Sequence, residues 1–263
     1  MRDQTWLPAF SLWQREMVRF VRQRSRVTGS LLTPVLFWLL FGAGYGGSFR
    51  PAGSPESSSF EYFLPGTVVL IVLFTAIFAN ISIIEDRREG FLQGVLVAPV
   101  SRLAIVMGKV LGGATLAILQ ALLFLGVAVA TRSAFSGGGP GLAGALEAAA
   151  ALILLSMGIT ALGFVFAWRV DSVQAFHGVM NLLLMPMWAL SGALFPAAGA
   201  ATPIRILMAI NPTTYGLAML RHGLGRDATG GPTPALAAAV TVGFAVLAVT
   251  AAVLVASKRR KTA

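Results

Sequence analysis

Six apolar runs dominate the chain and leave few options for its fold. They cover roughly residues 27–45, 63–84, 103–131, 142–168, 173–195 and 235–256, and short segments that carry most of the charge separate them. A bilayer core of about 30 Å is crossed by about 20 apolar residues in helical form. Hydrocarbon offers no partner for a bare amide, so each run must bond its own backbone. None of the runs alternates apolar and polar residues with period two, which disfavours a β-barrel. The expectation is an all-α, polytopic membrane protein with six transmembrane helices, and Pro34 inside the first is tolerated in such helices. Composition agrees: 56% of residues are hydrophobic and the mean hydropathy is +0.79, against about 45–50% apolar content in soluble domains.

The segments between the runs set topology. Residues 1–26 carry Arg2, Arg15, Arg19, Arg22, Arg24 and Arg26, with Trp6, Phe10, Trp13, Met17 and Phe20 at three- and four-residue spacing. This pattern predicts an amphipathic helix lying in the membrane interface rather than a cleavable signal peptide. Residues 196–234 are broken by Pro196, Pro203, Pro212, Pro232 and Pro234 and read as a re-entrant or interfacial helix pair. Residues 257–263 form a basic tail. With six spans both termini share a side, and 15 of the 20 lysines and arginines fall there. The positive-inside rule makes that side cytoplasmic and the 196–234 segment external. Arg50, Arg132, Arg205, Arg221 and Arg226 lie opposite.

Several functions are disfavoured. The chain has no cysteine, which removes disulfides and thiol chemistry. Its two histidines, His177 and His222, stand far apart, and no residue cluster has metal-ligand spacing. The net charge of +10 is spread over membrane flanks without aromatic interleaving, so anionic lipid is the expected partner and nucleic acid is not. No Gly-x-x-x-x-Gly-Lys-Ser/Thr loop is present, so no usual ATP site is expected and no cofactor is assigned to the chain.

Between the second and third runs stands a dense charged patch, Glu85, Asp86, Arg87, Arg88 and Glu89, followed by Gly90, Phe91, Leu92, Leu96, Pro99, Ser101 and Arg102. The plain reading is a solvated loop. The sharper one is a short cytoplasmic helix whose apolar face enters a groove on a soluble partner while the charges fix its register. Pro99 would stop it, and Ser101 would cap the third span. Gly94 weakens helix within it by up to about 1 kcal/mol relative to alanine.

The run from Glu85 to Gly90, followed by Leu96-x-x-Pro99-x-Ser101-Arg102, resembles the hallmark of ABC-2 type permeases, the membrane subunits of ABC exporters. Asn211-Pro212-Thr213-Thr214-Tyr215, with Leu220-Arg221 after it, is similar to the family's Asn-Pro-x-x-Tyr near the end of the external segment. The resemblance covers essentially the whole chain and is nearest to daunorubicin-resistance-type drug export permeases. It implies a non-catalytic permease subunit in a prokaryotic inner or plasma membrane, paired with a second permease, as a homodimer, and with a separate ABC ATPase that binds ATP and magnesium. It also implies that residues 85–102 touch the ATPase, that the N-terminal helix lies against the ATPase or the membrane surface, and that the substrate is a drug, lipid or glycolipid leaving the cytoplasm or inner leaflet. An integral membrane scaffold and a lipid-acting enzyme are the alternatives.

Smaller features complete the reading. Glu147 is expected to snorkel to the interface. Asn80, Gln120, Gln174 and Asn181 are expected to bond between helices, and the spacing of Gly108, Gly112 and Gly113 predicts close helix packing.

Overall fold

The computed structural model describes residues 6–45, 58–131, 140–226 and 230–258. Arg2, Arg50, Arg132, most of the glycine-rich turn at 136–141 and the basic residues Arg259, Arg260 and Lys261 lie outside these. Among the described residues the fold is all-helical.

The third helix, α3 (Ser59–Arg88), is the axis of the bundle. Of its most apolar window 89% is buried, against 22% for the first and last spanning helices. Apolarity does not by itself select it for the centre, since the last spanning helix is as apolar and lies at the edge. Around it stand α2 (Arg24–Tyr45), α5 (Arg102–Ala130), α6 (Leu142–Arg169) and α7 (Val173–Trp188). The last helix, α10 (Pro234–Ser257), packs mainly on α6. Among the described residues six helices are long and apolar enough to cross a membrane, at the positions read from the sequence. The protein is a multi-pass membrane protein.

Ahead of α2 lies α1 (Trp6–Arg22), separated from it only by Gln23. Its inward stripe is Ala9, Leu12, Glu16 and Phe20, while Trp6, Leu7, Phe10, Val18 and Val21 remain exposed. The stripe lies along α5, where Gly108 and Gly112 leave room: a Cβ on Gly108 would stand 2.6 Å from Leu12 Cβ, and one on Gly112 2.8 Å from Glu16 Cβ. The close packing anticipated from the glycine spacing is real, and α1 is what those two glycines admit.

Polar groups in the core cross-link helices. Gln120 on α5 accepts from Ser30 on α2 at 2.8 Å and from Thr75 on α3 at 3.0 Å. Asn80 Nδ2 donates to the Thr160 carbonyl on α6 at 3.1 Å. Gln174 and Asn181, by contrast, are exposed on α7.

At the far end, α7 runs into a π-helical turn, Ala189–Ala193, closed by Gly192 at φ 92°. Two short helices follow, α8 (Thr202–Ile210) and α9 (Pro212–Gly223), where the sequence predicted a helix pair. The second packs back against α6 and α10.

Candidate functional site

The charged patch begins on the last turn of α3 and continues into α4 (Phe91–Val97). Gly90, at φ 77°, makes the bend between them, a left-handed conformation that glycine takes without penalty. Ala98 and Pro99 end α4, and Ser101 Oγ accepts from the Ala104 amide at 3.2 Å, capping α5.

The charges divide into two groups. Glu85 and Asp86 turn inward. Asp86, with no exposed side-chain surface, receives a two-pronged bond from Arg15 at 2.9 and 2.7 Å, a bond from Arg19 at 2.6 Å, and the ammonium of Lys109. Lys109 also bonds Glu16 at 2.5 Å and Ser82 at 3.2 Å. Arg19 and Arg26 both bond Glu85, and Arg19 lies 3.5 Å from Glu89. Arg15, Arg19, Arg26 and Lys109 thus face Glu16, Glu85, Asp86 and Glu89, and the lattice is close to neutral. That balance lets Lys109 and Asp86 be buried at all, since an unpaired buried charge is heavily penalised. The carboxylate of Asp86 holds the Arg15 guanidinium above its already high pKa.

Arg87 turns the other way. Its guanidinium donates to the carbonyls of Ala167 at 2.7 Å, Trp168 at 3.0 Å and Val170 at 3.0 Å, and pairs with Asp171 at 3.1 Å. These carbonyls sit at the C-terminal end of α6, which lacks amide partners and carries the negative end of the helix dipole. Arg88 adds two bonds to the Asp171 carbonyl, at 3.2 and 3.0 Å. These four charges all have partners within the chain, and the exposed positions of the patch are Arg88, Glu89, Phe91, Gln93, Gly94, Val97 and Pro99. Leu92 is buried and Leu96 half-buried, which fixes α4 to the bundle. Arg15 reaches this surface too, its guanidinium 3.8 Å from the centre of the Phe91 ring. Arg102 keeps one guanidinium nitrogen, Nη1, buried without a hydrogen bond.

The Asn-Pro motif is a joint at the opposite end. Asn211 Oδ1 accepts from the Thr213 amide at 3.1 Å, capping α9, while its Nδ2 donates to the Met187 carbonyl at 2.6 Å. Pro212 fills the first helical position, where no amide is needed. Tyr215 donates to the Ala209 carbonyl at 2.7 Å, and Arg221 donates to Gly192 at 2.9 Å. Two pairs tie this region to the spans, Arg226 with Glu61 at 2.7 Å and His222 with Glu147 at 2.7 Å. Glu147 is therefore paired with a histidine.

The inward partners Arg15, Glu16, Arg19, Arg26 and Lys109 are what sequence reasoning missed as site residues. The signals were present: Glu16 is an acid on an otherwise basic helix, and Lys109 stands in an apolar run.

A six-span helical membrane protein with a short charged elbow after its second span and a proline-initiated helix pair before its last is a membrane transport permease by class. The chain belongs to the ABC-2 type transporter family, whose model matches residues 9–224, from α1 to the end of α9. Two relatives named as transport permeases, both ycf38, agree. The one from Cyanophora paradoxa is 25% identical over 219 residues, 81% of this chain and 72% of its own. The one from Porphyra purpurea is 23% identical over 220 residues, with the same shares. Permeases of this family normally work with an ATPase partner.

Proposed function

We propose that the protein is the membrane subunit of an ATP-driven exporter, and that α4 with its flanks is where it meets the ATPase. The observation that supports this is the rooting of α4. Its outer face is free, while its base is fastened to α1, α3, α5 and α6 by the Asp86 lattice and the Arg87 cap. A push on Phe91 or Val97 would be passed to four helices through charge-assisted bonds, which are short and directional. Closure of a partner ATPase pair on ATP would then shift helix packing and alternate access between the two faces.

Pairing with a second copy fits the same reading. Asn181 and Gln174 are exposed on α7 among apolar neighbours such as Leu182. A polar amide facing lipid is unfavourable, and helix–helix contact relieves it. A substrate that is hydrophobic or amphipathic, a drug, lipid or glycolipid, suits spans that carry so few charges of their own. Residues 196–234 would sit outside, re-entering the membrane, with both termini in the cytoplasm of a prokaryotic cell.

Co-expression with ABC ATPases encoded beside the gene, followed by purification in detergent, tests the reading. The expected result is a complex with ATPase activity, weakened by V97D without loss of membrane insertion. Failure of every such ATPase to bind, or full binding to V97D, counts against it.

A further inference from the structure

A cavity of 810 Å³ opens between α8, α9 and the start of α10, at the end of the bundle away from the Asp86 lattice. Two arginines, Arg205 and Arg221, lie on its wall together with His222, and among the described residues that line it none is an aspartate or glutamate. Arg221 is 5% exposed. Its guanidinium gives one bond to the Gly192 carbonyl at 2.9 Å and lies 4.7 Å over the Tyr62 ring. Among the described residues, the salt bridges at this end pair Arg226 and His222, and neither Arg205 nor Arg221 takes part in one.

A buried cation served by one carbonyl and by the ring and hydroxyl of a tyrosine, with no carboxylate beside it among the described residues, favours an anion. Guanidinium groups match phosphate oxygens with paired, planar donors. The positive end of α10 adds to the field, because Thr233 and Pro234 line the cavity and no side chain caps that helix. Part of the remaining wall is apolar, with Ile206, Leu217 and Ala237, beside hydroxyls such as Thr202 and Tyr215. Cationic and apolar surfaces side by side call for an amphiphile, and the volume falls within the range of about 300–1,000 Å³ typical of small-molecule sites.

We propose that this cavity binds an anionic phospholipid, with its phosphate at Arg205 and Arg221 and the first part of an acyl chain along Ile206 and Leu217. The site goes beyond the export reading and does not depend on it, since it needs neither ATP nor a partner ATPase.

The test uses the full chain in nanodiscs containing phosphatidylglycerol and phosphatidylcholine with identical chains, with retained lipids counted by native mass spectrometry. Phosphatidylglycerol is expected to be retained over phosphatidylcholine by about tenfold, the size of one charge-assisted bond. R205Q, at an exposed position, should remove most of that preference, and I206E should lower retention of phosphatidylglycerol. R24Q, which changes an exposed arginine on the membrane flank at the other end, should lower that preference less than R205Q does. Equal retention of the two lipids, an equal loss of preference in R24Q, or retention of inorganic phosphate without lipid would each overturn the assignment.

Discussion

Arg15 and Asp86, 71 residues apart, meet through two parallel bonds of 2.9 and 2.7 Å, and Lys109 approaches the same carboxylate from α5. The acidic end of the charged patch is therefore a structural socket for the N-terminal helix. Removing one partner leaves the other charges buried and unbalanced, so D86A is expected to lose about 3–5 kcal/mol of stability. K109A should lose a comparable amount, and D86A/K109A less than the sum of the two, because the partners share one network. Thermal unfolding of the four proteins in one detergent checks this, and strict additivity would refute the coupling.

The seating of α1 gives a second expectation. Valine at Gly108 would collide with Leu12 Cβ, 2.6 Å from the new Cβ, and with the Ala9 carbonyl at 2.9 Å. Overpacking of this kind costs about 1–3 kcal/mol, and here it is relieved by lifting α1 away from α5. Trypsin should then cut at Arg15 and Arg19 faster in G108V than in the parent, while cleavage at Lys258, just after α10, stays unchanged. G126V, at a position with open space around it, is the control.

Gly192 carries the turn that ends α7, at φ 92°. Alanine there has space, since its Cβ would lie 3.6 Å from Met208 Cε, so any penalty comes from the backbone. Left-handed conformations cost a residue with a Cβ roughly 1–2 kcal/mol. G192A should lower the unfolding temperature by that equivalent, and a neutral result would mean the turn relaxes.

The spans were legible in the sequence because length and hydropathy decide them with little competition: the run read as 142–168 forms Leu142–Arg169, and that read as 235–256 forms Pro234–Ser257. The caps at Ser101 and the stop at Pro99 follow from local chemistry for the same reason. The direction in which the patch charges point was not legible. Asp86 and Arg87 stand about 100° apart around α3, and that angle matters because α1, contributed from 66 or more residues away, supplies the arginines on one side. The helical spacing of Trp6, Phe10 and Trp13 identified a helix but not its buried side. The stripe that meets α5 is Ala9, Leu12, Glu16 and Phe20, chosen by the room at Gly108 and Gly112 and by Lys109.

Arg87 provides the sharpest separation between folding and coupling. Its four bonds close the end of α6 onto α3 beside the root of α4, whereas Arg88 is exposed and binds a single carbonyl. R87A removes charge-assisted bonds to a partly buried site, at about 2–3 kcal/mol. R87K keeps the charge but has one ammonium for a fan of acceptors, so it should recover less than half of that loss. R88A should cost under about 0.5 kcal/mol, the usual range for an exposed position. R87E/R88E places carboxylates against the α6 carbonyls and should open the α3–α6 contact at this end. Insertion should survive, because neither position lies within the apolar part of the span. The expected pattern is normal membrane yield for all four variants, a graded fall in unfolding temperature from R88A to R87E/R88E, and loss of substrate-stimulated ATP hydrolysis in the complex for R87E/R88E. Retained stimulation in a double variant that has lost stability would show that α6 is not on the route from α4 to the spans.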